Sequence, residues 1–171
     1  DTHFTVMVQN DRLAIDVPGQ MVYQLDPPDD EGKWYFSMTN EIAVSFAGRW
    51  CDYQMHFAYA EEVSALQYTC ALDMRVPKGK NAPLAELLAL INGKMWIGHF
   101  DVLCDDGMPC FRQTVLLRGA SGMAVEQVED LLDIGVSECE RFYPAFQFVI
   151  WGGRSPEEAV EAALLETVGE A

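Results

Sequence analysis

The clearest alternation of apolar and polar side chains lies between residues 50 and 59. Cys51, Tyr53, Met55, Phe57 and Tyr59 fall on one face, Asp52, Gln54 and His56 on the other. A period of two predicts a strand with one face in the core and one in water. Residues 65–72 repeat the pattern with Leu66, Tyr68, Cys70 and Leu72. Two hairpins are expected before these strands. One joins 4–8 to 13–17 across Gln9–Arg12; the other joins 34–38 to 41–46 across Thr39-Asn40. Between the hairpins, D-P-P-D-D-E-G (26–32) reads as a loop or linker.

The period then changes. After Pro77-Lys78-Gly79-Lys80, apolar residues recur at Leu84, Leu87, Leu88, Ile91 and Met95. That spacing predicts an amphipathic helix, with Asn81 as its cap and Pro83 in its first turn. Residues 97–104 and 109–118 return to strand composition around the turn Asp105-Asp106-Gly107. A long helical stripe follows: Val125, Val128, Leu132, Val136, Cys139, Phe142, Phe146 and Val149. Finally, S-P-E-E (155–158) is a capping box with Pro at the first helical position, and it predicts a helix from 156 to about 168. Strands in runs, with helices set apart from them, argue an α+β fold: a curved, mostly antiparallel sheet packed by helices. Residues 1–33 are read as an N-terminal extension and 34–171 as the domain proper.

Pro144 stands in the middle of the long stripe. Proline in a helix interior costs about 3 kcal/mol. Burying Phe142, Phe146 and Ile150 returns about 1.5–3 kcal/mol each. The apolar face keeps its phase through the proline, which two independent helices would have no reason to do. One helix over 125–151 is therefore expected, kinked near Glu140, whose carbonyl loses its i+4 donor.

Charge narrows the function. Eleven basic residues face 27 acidic ones, a formal charge of −16. Such a chain is repelled by nucleic-acid phosphates and by anionic membrane surfaces, and is suited to basic or amphipathic protein segments. Residues 121–171 set eleven acids against only Arg141 and Arg154. No apolar run approaches the length of a membrane span, and no secretory signal pattern opens the sequence. Five scattered cysteines fit a reducing cytoplasm better than a disulfide framework.

No nucleotide-binding, hydrolase or metalloprotease motif is present, so no enzyme activity and no cofactor are expected. His99 and Asp101 share a strand face, and with His56 could form a metal or acid–base site; the alternative is three surface residues. Cys104 and Cys110 flank a turn and could pair. The alternative is two half-buried thiols. Trp151-Gly152-Gly153-Arg154 resembles an anion-binding loop, but Glu157 and Glu158 in the following turn repel an anion, which leaves a tight helix–helix turn.

Four stretches carry a family resemblance: R-W-C-D-Y (49–53), A-L-D-M-R-V-P (71–77), E-L-L-A-L-I-N-G-K-M-W-I-G-H-F-D (86–101) and E-C-E-R-F-Y-P-A-F-Q-F-V-I-W-G-G-R-S-P-E-E-A (138–159). With the terminal L-E-T-V-G-E-A, they resemble the YbjN family of bacterial sensory-transduction regulators. The resemblance implies a fold similar to class I type III secretion chaperones, often dimeric, and it brings no catalytic residues. A helix would be expected where residues 1–33 stand, and that region departs from the family pattern.

The expectation is thus a cytoplasmic, protein-binding regulatory module, a homodimer that also engages an unknown protein partner. Trp50, Trp96 and Trp151 are the candidate interface anchors, because large aromatics dominate interface energetics. Core packing is the alternative for each and weighs most for Trp96. Two other readings are a small-ligand sensor with a pocket between sheet and helices, and an enzyme built on His56, His99 and Asp101.

Overall fold

The computed structural model describes residues 5–9, 12–16, 23–24, 41–103, 107–120 and 123–168. The alternating segments are strands. β1 (Thr5–Gln9), β2 (Arg12–Asp16) and β3 (Tyr23–Gln24) form a small antiparallel sheet. The first expected hairpin is present, with Val8 opposite Leu13.

The main sheet contains β4 (Glu41–Ala47), β5 (Asp52–Ala60), β6 (Ala65–Ala71), β7 (His99–Val102) and β8 (Pro109–Leu116). Among the described strands its order is β4-β5-β6-β8-β7, antiparallel throughout and open, with β4 and β7 at the two ends of that order. The expected partner of β4, residues 34–38, lies outside the described residues, as does Cys104. Three helices complete the α+β fold: α1 (Asn81–Asn92), α2 (Val125–Ile150) and α3 (Pro156–Val168).

Alternation puts Tyr53, Met55, Phe57, Tyr68, Cys70 and Phe111 under the helices, each 2% exposed or less. Phe100 joins the layers. Its ring meets Phe111 at 5.9 Å, Phe142 at 5.9 Å and Phe146 at 5.3 Å, in tilted or edge-on geometry. Gly135 lets α2 approach the sheet, since a Cβ there would lie 2.4 Å from the Tyr68 ring.

α2 runs uninterrupted through Pro144. Twenty-six residues span about 39 Å. Phe142, Ala145 and Phe146, on either side of the proline, are fully buried, so packing outweighs the lost bond. The Glu140 carbonyl released by Pro144 accepts a hydrogen bond from Trp50 Nε1 at 3.1 Å. An orphan created by one residue is thus satisfied by another, 90 positions away.

The helix ends differ in detail from expectation. Ser155 caps α3 as expected: Glu158 N donates to Ser155 Oγ and Ser155 N to Glu158 Oε2, at 3.3 and 3.4 Å. The cap position of α1 is Lys80, not Asn81, and no side chain bonds there. α1 also stops at Asn92, before Met95. The apolar spacing carried Met95 into the stripe, but the chain turns at Gly93-Lys94 first.

Candidate functional site

α1 finishes with Gly93 N donating to Ala89 O at 3.1 Å and Lys94 N to Ile91 O at 2.9 Å. The chain then reverses into β7, and Asn92 closes the reversal. Its Nδ2 donates to Phe100 O at 3.0 Å, while Phe100 N donates to Asn92 Oδ1 at 2.7 Å. The carboxamide thus pairs with the strand as a neighbouring peptide unit would. Gly98 completes the turn at φ +70°, where a Cβ would lie 2.2 Å from the Phe111 ring, so only glycine fits. At the outer end of this clasped loop stand Trp96, 100% exposed, and Ile97, 48% exposed.

That placement overturns the core-packing alternative for Trp96. Burying a large aromatic stabilises a fold by about 1.5–3 kcal/mol, and this fold forgoes that contribution. The sequence marked Trp96 but missed Asn92. An Asn followed by Gly at the end of an apolar stripe signals only a helix terminus.

The other two tryptophans lie elsewhere. Trp50 occupies the β4–β5 turn and is half-buried, its ring stacked at 6.0 Å and 5° on Tyr143 of α2. Beside it, Arg49 N donates to Glu140 Oε1 at 2.6 Å. A Cβ on Gly48 would meet Tyr53 and Glu140, so the glycine permits this close docking. Trp50 is therefore a brace between sheet and helix. Trp151 is 57% exposed at the end of α2. Lys80 Nζ donates to Val149 O at 3.1 Å, which puts Trp151 near the start of α1, whereas Trp96 lies past its end. α1 is about 18 Å long, so the three rings do not form one cluster.

His56, His99 and Asp101 are also kept apart. His56 on β5 and His99 on β7 fall in one cross-strand row through Thr69 and Arg112. Three strand spacings lie between the histidines, about 14 Å. Asp101 is held by Arg112 Nη1 at 3.0 Å, with 45% of its side chain exposed. One metal ion or one acid–base pair cannot use these residues together, and among the described residues no cluster of three metal-ligating side chains exists.

Three of the described thiols are poor nucleophiles. Burial pushes Cys110 up to about 11, and burial does the same to Cys51. Cys139 is shifted upward too, mainly by desolvation. Burial also raises Tyr53, and the nearby Glu140 adds to it. Tyr53 Oη and Glu140 Oε2 are both buried without a hydrogen-bond partner. Among the described residues no helix is long and apolar enough to cross a membrane.

The chain was compared with known proteins. No curated protein and no solved structure matches it. The family model for YbjN, whose description reads "Putative bacterial sensory transduction regulator", matches residues 29–148. That span holds the main sheet, α1 and all but the last two residues of α2. The chain belongs to the YbjN family.

Proposed function

We propose that this domain is a non-catalytic regulatory module that acts by binding another protein, with Trp96 inserted into an apolar pocket of the partner. The family description points to a regulatory role. The observation that carries the binding reading is the complete exposure of Trp96 at the outer end of a loop closed by two hydrogen bonds. Most interface energy comes from a few large aromatic or arginine anchors, and a ring presented on a closed loop loses little conformational freedom on docking. The separated histidines and the protonated, buried thiols support a non-catalytic role. The free thiols Cys51, Cys70, Cys110 and Cys139 are in keeping with a reducing cytoplasm. A small α+β body holding a partner segment is also what the likeness to secretion chaperones implies.

Trp96→Ala is the test. The variant should keep the wild-type thermal midpoint, because the side chain contacts no core, and should lose the partner that the wild type captures from a bacterial lysate. Equal capture by both proteins would remove Trp96 from the interface.

A further inference from the structure

Six large apolar side chains stand exposed among the described residues, and four of them lie at one end of the main sheet. Val63, 61% exposed, is in the turn between β5 and β6. Leu116, 75% exposed, ends β8 opposite Ala65, the first residue of β6. β7 begins at His99 opposite Arg112 and runs antiparallel to β8. The residues before it, Trp96 and Ile97, therefore lie toward the Leu116 end. From the β5–β6 turn across β6 and β8 to β7 is two to three strand spacings, about 10–14 Å. The first turns of α2 reach the same end. Gly135 lies over Tyr68 and Cys139 Sγ reaches Cys70 O, so the helix runs back toward Ala65 as it nears its start.

We propose that this end of the sheet takes the apolar stripe of a basic amphipathic helix from a partner protein. The inference rests on the Trp96 reading and names the element that supplies the pocket. The sheet end offers turns whose backbone groups are already bonded. Ser64 N donates to Glu61 O at 3.1 Å, Leu117 N to Ser64 O at 2.8 Å and Lys94 N to Ile91 O at 2.9 Å. A segment lying across such turns gains no backbone ladder and must satisfy its own N–H and C=O groups, as a helix does. Apolar positions i, i+3 and i+7 of a helix span about 10 Å, the length of the row. Trp96 fills the gap between successive turns of that stripe. Charge sets the flanks of the partner. Glu61 and Glu62 in the turn, with Glu126 and Asp130 at the start of α2, are exposed and outnumber the exposed Lys94 and Arg118. The helix that fits carries Lys or Arg beside its apolar stripe. An anionic bilayer would meet the same acids and be repelled.

The experiment titrates the full chain into labelled synthetic peptides and reads fluorescence anisotropy, in about 0.15 M salt to screen loose charge attraction. The probe is a leucine–lysine peptide of about five helical turns, with leucine at helical spacing. One control has the same composition with leucine at every second position; another replaces lysine by glutamate. The striped lysine peptide should bind, and both controls should bind at least about tenfold more weakly. Trp96→Ala, Val63→Ser and Leu116→Ser should each weaken binding about tenfold or more. Leu165→Ser, on α3, should change nothing. All four side chains are exposed, so the variants should keep the wild-type thermal midpoint. No binding of the striped peptide, or equal binding of the alternating one, would overturn the helix and leave the Trp96 reading to the lysate comparison. Weakening by Trp96→Ala alone would overturn the sheet-end surface and keep Trp96 as an isolated anchor. Tighter binding of the glutamate peptide would overturn the charge assignment. Binding to phosphatidylcholine vesicles that is lost in Leu116→Ser would give the surface to a lipid and overturn the proposal.

Discussion

β4 and β7 stand at opposite ends of the strand order, and among the described residues β7 has its outward backbone groups bonded by side chains from α1 and from itself. β4 is held from one end instead, where Trp50 and Arg49 tie its turn to Glu140 of α2. The difference shows two ways to secure a strand: side-chain bonds along its length, or a turn tied to a helix. It also separates two roles in the turn regions. Trp50 spends its ring and N–H on architecture, whereas Trp96 spends neither.

The largest effect expected from this contrast comes from proline at adjacent positions of β4. Val44→Pro removes a bond to β5 and a buried side chain, and should cost upwards of about 3 kcal/mol in chemical denaturation. Ser45→Pro loses no ladder bond to β5 but does lose the 2.7 Å bond from Ser45 Oγ to Gln54 Oε1, and should cost about 1–2 kcal/mol. Similar losses at both positions would break the assignment of which backbone groups face outward.

At the other edge, Asn92→Ala removes two hydrogen bonds and should cost about 2 kcal/mol, with faster exchange at Phe100. Trp50→Phe keeps the stacking on Tyr143 but leaves the Glu140 carbonyl without its donor, for a loss of about 1–3 kcal/mol. Its signature should be accelerated exchange around Pro144 and an unchanged β7. Asp101→Asn should cost less than about 1 kcal/mol, since the Asp101 side chain is 45% exposed and its pair with Arg112 is screened by water.

A separate effect is on pH. Cys51, at the foot of the β4–β5 hairpin, and Cys110, in register with Asp101, have folded values of about 11 against an ordinary 9.0. Above pH 9 the unfolded thiols ionise first, so the unfolded state binds fewer protons and stability falls as pH rises from about 9 to 11. Below pH 9 this contribution is fully present. Cys51→Ser/Cys110→Ser should flatten the denaturation midpoint across that window.

Most of the fold was legible as periodicity. The switch from a period of two to one of 3.6 marked β5, β6 and α1, and the phase kept across Pro144 marked α2 as one helix. The orphan at Glu140 O was also legible, because proline chemistry names the carbonyl that loses its donor. Its donor was not, since Trp50 is joined to it only by the packing of the β4–β5 turn on α2. The clasp was invisible for the same reason: nothing in the string Asn92-Gly93 says that its carboxamide will meet Phe100 eight residues later. Nor could periodicity expose Trp96, which falls where the helical stripe has ended and the strand has not begun. His56, His99 and Asp101 failed as a site because strand order puts β6 and β8 between β5 and β7.

Amide hydrogen exchange, resolved at single residues and followed from dilute to concentrated protein, tests the contrast between the edges most directly. Phe100 should be protected at every concentration and lose protection in Asn92→Ala. Ser45, at the other end of the strand order, should exchange at the same rate in Asn92→Ala as in the wild type. Protection at Phe100 that survives Asn92→Ala, or a change at Ser45 as large as that at Phe100, would contradict the account.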